Sequence, residues 1–91
     1  MGLRWTTSGN RDLVRLHAFL APVDPRAAAR AVTRILAGVK HIARHPHIGV
    51  QLDEFAPREV RKLVVGDYEI RYEVTRTDLF ILRVWHVFED R

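Results

Sequence analysis

Two side chains near the end of the chain could bind an anion or move a proton. Arg83 and His86 stand in the stretch FILRVWHVFEDR, residues 80–91, among apolar and aromatic neighbours. An arginine binds phosphate or carboxylate groups in a bidentate manner, and a histidine exchanges protons near neutral pH. The residue types alone leave three roles open for both side chains: catalysis, binding or filling of the core.

The pattern of this last segment does not tell which of its faces is buried. A strand with one wet face alternates apolar and polar residues, but here both faces are apolar. With strict alternation, one face carries Leu79, Ile81, Arg83, Trp85 and Val87, and the other carries Phe80, Leu82, Val84, His86 and Phe88. The pattern therefore predicts either a strand covered on both faces or a face that a partner covers.

Three histidines in the middle of the chain have a spacing that can chelate zinc. His41 and His45 would lie one helical turn apart, and His47 follows closely. The chain has no cysteine, however, and the nearest carboxylate, Asp53, falls in a predicted loop. Because the helix dipole favours histidines at a C-terminal end without any metal, we expect no metal and no other cofactor. The sequence also has no G-x-S-x-G motif, P-loop or dinucleotide fingerprint.

Length and composition predict a single domain, residues 1–91, in the cytoplasm. Hydrophobic residues make up 47% and charged residues 29% of the chain, which is typical of a globular protein. No apolar run reaches the ~20 residues that span a bilayer, and the first residues lack the apolar core of a signal peptide.

The charge balance favours an acidic partner, either nucleic acid or an acidic protein. Fifteen Lys and Arg against eleven Asp and Glu give a net charge of +4, and the excess is mostly arginine, which suits bidentate recognition. Arg26, Arg30 and Arg34 would lie one turn apart on a predicted helix. A solvated face is the preferred interpretation of this row, and the footprint of an acidic partner is the alternative.

Two helices are predicted in the first half of the chain. Ser8 or Asn10 caps the first, which ends near Leu20 and has Asp12 in its first turn, where the dipole favours an anion. Asp24 followed by proline begins the second, which runs to about residue 45. Their buried stripes are Leu13, Leu16 and Leu20 flanked by a partly buried His17, and Ala28, Val32, Ile35, Val39 and Ile42.

Four strands complete the predicted fold. They cover residues 3–6, 60–65, 68–74 and 79–88. In the third of them the residues expected to face the helices are Tyr68, Ile70, Tyr72 and Val74, and those expected to face away are Glu69, Arg71, Glu73 and Thr75. The order βααβββ predicts an α+β domain, with a helical hairpin packed on one face of a mostly antiparallel sheet.

Five motifs occur along nearly the whole chain in a fixed order. They are D-L in the first helix, P-x-x-A-A before the second, H-P-x-x-G at its end, R-K-L-x-V-G-x-Y-x-I-R-Y-x-V in the hairpin and I-L-R-V-x-H at the close. With these motifs the chain resembles the ParE branch of the ParE/RelE toxin superfamily. One departure is Asn10, where the family usually has alanine, and it concerns helix packing more than function.

The resemblance implies a toxin of a bacterial type II toxin–antitoxin system that inhibits DNA gyrase and growth and stabilises plasmids. A ParD-like antitoxin would neutralise it by folding its C-terminal segment around the toxin, in a heterotetramer or larger complex. The toxin would reach DNA only through the antitoxin and would not contact a membrane.

One position favours this branch over the related RelE branch, whose members are ribosome-dependent mRNA endonucleases. RelE-type nucleases usually have an arginine directly after the aromatic residue that opens the Y-x-(I/L)-x-Y strand, and this chain has Glu69 there. An anion beside a scissile phosphate stabilises no developing negative charge. We therefore expect no catalytic residue and no enzyme. An endonuclease using His86 with nearby arginines remains the alternative, and a module that binds its antitoxin but harms nothing is the third possibility.

The resemblance and the residue types together give two sets of candidate binding residues. An inhibitor without catalysis depends on a few aromatic and arginine anchors, so the residues expected for toxicity are Arg83, Trp85, His86, Phe88 and Arg91. The residues expected for antitoxin binding are Leu13, Leu16, His17, Leu20, Arg61 and Arg71.

Overall fold

Two helices pack on one face of a five-stranded sheet in the computed structural model, which describes residues 1–89. In chain order the elements are β1 (Gly2–Trp5), α1 (Thr7–Leu20), α2 (Pro25–Arg44), β2 (Val50–Gln51), a short 3₁₀ helix (Asp53–Phe55), β3 (Glu59–Val65), β4 (Tyr68–Val74) and β5 (Asp78–His86). The strand order is β1-β5-β4-β3-β2, with β1 parallel to β5 and the other pairs antiparallel. The predicted α+β fold is confirmed, and β2 and the 3₁₀ helix are additions within the segment between α2 and β3.

α1 begins directly after β1, because Thr6 caps it. The Thr6 hydroxyl accepts a hydrogen bond from the Gly9 N–H at 3.0 Å and lies 3.0 Å from the carbonyl oxygens of Ile81 and Leu82. A Cβ atom on Gly9 would stand 2.5 Å from the Ile81 carbonyl oxygen, so α1 runs directly against the backbone of β5. The prediction of Ser8 or Asn10 as the cap is wrong, since the cap residue also has to bond to a strand more than 70 residues away.

α2 begins as the sequence predicts, and four of the five residues of its expected buried stripe are buried, Val32 being the exception. The Asp24 carboxylate accepts a hydrogen bond from the Ala27 N–H at 3.1 Å, and proline follows at the first helical position. The buried core consists mainly of Leu16, Ala31, Ile35, Val39, Ile42, Tyr68, Ile70, Tyr72, Val74, Leu79, Ile81 and Val84. Leu13, Leu20 and Val32 are half-buried, and His17 is exposed, contrary to the expected partial burial. Within residues 1–89, neither helix combines the length and hydrophobicity that crossing a membrane requires.

β5 changes the face that it presents to the helices partway along its length. Arg71 of β4 pairs with Arg83 and Tyr72 pairs with Ile81, so Leu82 has no direct partner. This β-bulge reverses the alternation of side chains after it. The helix-facing side of β5 therefore consists of Leu79, Ile81, Val84 and half-buried His86, and the opposite side includes Phe80, Arg83 and Trp85. The strict alternation expected from the sequence is wrong beyond Ile81.

A buried tyrosine fixes the segment that follows α2. The Tyr72 hydroxyl donates to the Pro46 carbonyl at 2.8 Å and accepts from the Gly49 N–H at 2.9 Å. Arg61 supports the same segment, because its guanidinium donates to the His47 and Gly49 carbonyls and to the Glu59 carboxylate. The motif H-P-x-x-G therefore serves to close this segment onto β3 and β4.

Candidate functional site

A cationic cleft of about 650 Å³ lies on the sheet face that points away from the helices. Strand pairing places Lys62, Arg71 and Arg83 in one row across β3, β4 and β5, and Arg15 reaches the cleft from α1. The lining consists of four cations, two carboxylates and one aromatic ring: Arg15, Lys62, Arg71, Arg83, Glu69, Glu89 and Trp85. Because like charges directly opposite in a sheet repel one another, the row of cations suits an anionic partner.

Two arginines pack against the ring of Trp85 in this cleft. The guanidinium carbons of Arg71 and Arg83 lie 4.8 Å and 4.9 Å from the ring centre, and Arg71 is also 5.5 Å from the ring centre of Phe55. These cation–π contacts help to keep Trp85 buried, although it lies on the face opposite the helices. The buried Nε of Arg71 has no hydrogen-bond partner within the described residues.

Asp12 of α1 holds Arg83 in position. One oxygen of its carboxylate accepts hydrogen bonds from Arg83 Nε at 2.7 Å and from the Val84 N–H at 2.9 Å, and the other accepts from Arg83 Nη2 at 3.2 Å. Burial by itself raises the pKa of Asp12, but the hydrogen bonds from Arg83 and Val84 and the charges of Arg83 and Arg15 outweigh it and lower that pKa. Asp12 lies in the second turn, so its predicted role as a first-turn dipole partner is wrong.

Both carboxylates of the cleft are bonded to arginines. Glu69 is 4% exposed and accepts from Arg71 Nη2 at 3.4 Å. Glu89 accepts from Arg15 Nη1 at 3.0 Å and from the His86 N–H at 3.2 Å. The cleft lining contains no histidine or tyrosine within residues 1–89, so the described groups in it that could exchange a proton with a ligand are Lys62 and these two paired carboxylates.

An apolar groove of about 370 Å³ lies on the helix side, next to the cleft. Its most exposed aromatic rings are Phe19 at 79% and Phe88 at 85%. His86 lies between Tyr68 and Phe88, with 5.5 Å between its ring centre and each of theirs, and its Nδ1 accepts from the Phe88 N–H. Among residues 1–89 the lining is Arg15, Leu16, Phe19, Leu20, Tyr68, His86, Phe88 and Glu89. Large exposed apolar groups around a groove are typical of a surface that binds another protein.

The structure divides the residues predicted for toxicity between these two surfaces. Arg83 and Trp85 lie in the cationic cleft, whereas His86 and Phe88 lie in the apolar groove. Arg91 falls outside the described residues. The ion pair between Arg15 and Glu89 contributes to both linings and therefore separates the surfaces.

The residues predicted for antitoxin binding are divided in the same way. Leu16 and Leu20 line the groove, and Arg71 lies in the cleft. The remaining three are half-buried Leu13, exposed His17 and Arg61, which binds the segment after α2.

Sequence reasoning missed Arg15 and Phe19 as parts of the two surfaces, and Asp12 as the residue that holds Arg83 in position. Phe19 did leave a signal, since a large aromatic residue on the polar side of an amphipathic helix is unusual. Asp12 left none, because its partners Arg83 and Val84 are more than 70 residues away along the chain.

The histidines at the end of α2 lie away from both surfaces. The rings of His41 and His45 are 5.1 Å apart, and His47 bonds to Glu59 at 2.8 Å. The part of the chain that the structure describes contains no group of three or more His, Cys, Asp or Glu side chains that could hold a metal ion.

Comparison with known proteins identifies relatives that match over most of the chain. Residues 3–91 match the family described as the ParE toxin of the type II toxin–antitoxin system parDE. The Y4kP protein of Sinorhizobium fredii, which carries the name of a toxin, is 36% identical over 89 residues, which are 96% of this chain and 88% of that protein. Toxin RelE1 of Caulobacter vibrioides is 32% identical over 83 residues, or 89% of this chain and 87% of that toxin.

Two solved structures share the fold. A chain of the chromosomal ParDE system from P. aeruginosa superposes with a TM-score of 0.79 at 26% identity and covers 96% of both chains. A chain of the toxin–antitoxin complex RelBE2 from Mycobacterium tuberculosis superposes with a TM-score of 0.61 at 28% identity, covering 93% of this chain and 88% of that one.

Proposed function

The chain belongs to the ParE family of toxins of type II toxin–antitoxin systems, and we propose that it inhibits DNA gyrase in the cytoplasm and is neutralised by a ParD-like antitoxin. The observation that carries this proposal is the composition of the cationic cleft. It combines four cations with two arginine-bonded carboxylates, and its lining within residues 1–89 includes no histidine.

RNA cleavage in this cleft would have to use Lys62 or carboxylates that are bonded to arginines, because no histidine lines it within residues 1–89. A metal-free nuclease has to supply a general base, a general acid and cations around one phosphate. The cations are present, but His86 lies on the other face of the sheet, with its Nδ1 bonded to the Phe88 N–H. Glu69, which bonds to Arg71, contributes a carboxylate to the lining of the cleft. This arrangement supports a toxin that acts by binding.

The RelE-type endonuclease is the second candidate, and two observations favour it. Toxin RelE1 is a relative at 32% identity, and Lys62, Arg71 and Arg83 form a row of cations that fits a phosphate backbone. In that case Glu69 or Glu89 would have to act as the base after release from its arginine partner.

We place the binding energy for the antitoxin in the apolar groove. Its lining contains Leu16 and Leu20, expected to bind antitoxin, together with His86 and Phe88, expected to bind gyrase. An antitoxin segment that buries Phe19 and Phe88 would therefore cover part of the surface used for toxicity. Competition for this groove explains neutralisation without any change in the fold of the toxin.

Two assays with the purified toxin test the proposed target. Inhibition of DNA supercoiling by gyrase, with intact mRNA on programmed ribosomes, is the expected result. Cleavage of mRNA in the ribosomal A site, with normal supercoiling, would replace the proposal by the endonuclease. Two matched variants, Phe88→Ala and Val23→Ala, distinguish a loss at the groove from the loss of any exposed apolar side chain. Both side chains are at least 85% exposed, but of the two only Phe88 lines the groove. Only Phe88→Ala should weaken the inhibition.

A further inference from the structure

The outer face of α2 carries a concentration of positive charge that neither surface described above uses. Five cations are exposed on it: Arg26, Arg30, Arg34, Lys40 and Arg44. With 100° per residue they fall within roughly a third of the helix circumference, opposite the buried stripe, and extend over about 27 Å. We call these five residues the basic face of α2.

Within residues 1–89 no carboxylate forms an ion pair with this face, although Asp67 lies beside Arg30 and Arg34. The twenty residues of α2 include no Asp or Glu, and within residues 1–89 none of the five cations forms an ion pair. By contrast, Arg15, Arg58, Arg61, Arg71 and Arg83 all bond to carboxylates. Cations one helical turn apart destabilise a helix, so the arrangement is not explained by the stability of α2.

The composition of the face indicates which kind of polyanion it fits. A protein partner would need buried aromatic or aliphatic anchors, but the large apolar side chain exposed on α2 is Leu36, at 39%. Phosphate contacts need no such anchor, and four of the five cations are arginines, which bind phosphates in a bidentate manner. A rigid row of about 27 Å is also close to one turn of B-DNA, roughly 34 Å.

We propose that the basic face of α2 binds double-stranded DNA through its phosphates, without reading the base sequence. The proposal concerns a different surface from the cleft and the groove, and it does not depend on whether gyrase is the target. It departs from the expectation that the toxin reaches DNA only through the antitoxin. It also replaces the interpretation of Arg26, Arg30 and Arg34 as a merely solvated row.

Fluorescence anisotropy with a labelled, mixed-sequence DNA duplex of about two helical turns tests the proposal on the full chain. Phosphate contacts release counterions, so the slope of log affinity against log salt reports their number at about 0.9 per contact. The double variant Arg26→Gln/Arg30→Gln should bind more weakly and reduce that slope by about 2. A duplex of scrambled sequence should bind equally well.

The matched control removes the same charge elsewhere. Arg11 and Arg76 are exposed and form no ion pair within the described residues, so Arg11→Gln/Arg76→Gln should keep the slope of the unchanged protein. Both double variants should melt like that protein, because all four side chains are exposed. Equal losses in the two variants would mean that net charge alone binds DNA, and the proposal would be wrong. It would also be overturned if polyglutamate bound the basic face more tightly than the duplex, since the partner would then be an acidic protein.

Discussion

Replacing Asp12 by alanine should destabilise the fold more than the position of this residue in a surface helix suggests. The Asp12 side chain is only 6% exposed and links α1 to β5 through Arg83 and the Val84 N–H. Alanine leaves the buried N–H of Val84 without its acceptor, which costs about 1–3 kcal/mol. It also removes a charge-assisted pair with Arg83, whose side chain is 43% exposed and regains water. We therefore take only about 1 kcal/mol for this second loss.

The sum, about 2–4 kcal/mol, is large for one residue. A loss of 1 kcal/mol lowers the melting temperature of a domain of this size by about 4–8 °C, so Asp12→Ala should melt at least about 8 °C lower. Urea unfolding followed by circular dichroism measures the free energy directly. Asp12→Asn is the matched control, because its amide oxygen can still accept from the Val84 N–H and Arg83 Nε, whereas the charge and the acceptor for Arg83 Nη2 are lost. It should recover about half of the lost stability.

The two variants also separate the two causes. If Asp12→Ala and Asp12→Asn lose the same stability, the Val84 bond contributes nothing and the Arg83 pair carries the whole effect. A loss of less than about 0.5 kcal/mol in Asp12→Ala is the range of an ordinary surface change. That result would refute the reasoning that Asp12 joins α1 to β5.

Three further results are expected. The Tyr72→Phe variant should lose about 1–3 kcal/mol of stability in urea unfolding, because it leaves the buried Gly49 N–H without an acceptor. Burial raises the pKa of Tyr72, so its hydroxyl stays protonated and can donate. Unchanged stability would contradict the conclusion that Tyr72 fixes the segment after α2. The lowered pKa of Asp12 means that its charge stabilises the fold above pH about 4 and that this contribution is lost as the pH falls through the lowered pKa. The stability difference between the unchanged protein and Asp12→Asn should therefore shrink below pH about 4, and a constant difference would count against the pair. Phe88→Ala should keep the melting temperature but weaken antitoxin binding, measured by calorimetry, by about tenfold or more, and equal affinity would place the antitoxin outside the groove.

The sequence was sufficient to predict the main helices and strands because their signals are local. Asp24 followed by proline marks the start of α2 at the correct residue. The alternation from Tyr68 to Val74 identifies β4 with its correct buried face. Caps, turns and apolar periodicity each depend on residues a few positions apart, so a single sequence contains them completely.

The features that the sequence did not yield depend on contacts between distant segments. Thr6 caps α1 and is also close to the carbonyl oxygens of Ile81 and Leu82, so its choice over Ser8 is decided by the packing of α1 on β5. The bulge at Leu82 has the same origin, because α1 lies along the edge of β5 where β1 ends. The sequence indicates the bulge only through the irregular alternation of apolar and polar residues in β5. That irregularity does not identify Leu82 as the residue without a direct partner.

The bulge also answers whether β5 is covered on both faces or presents one to a partner. Before Leu82 the helices cover the side of β5 that carries Leu79 and Ile81. After it, Val84 enters the core, and Trp85 on the opposite side is packed against Arg71 and Arg83. Val84 and Trp85 are therefore buried by the protein itself, one on each face of the strand, and the exposed apolar surface begins beyond them, with Phe88. A ligand of the cationic cleft and a protein in the apolar groove would consequently bind on opposite faces of the sheet. Because the Arg15–Glu89 pair touches both sites, it is the direct route by which one could affect the other.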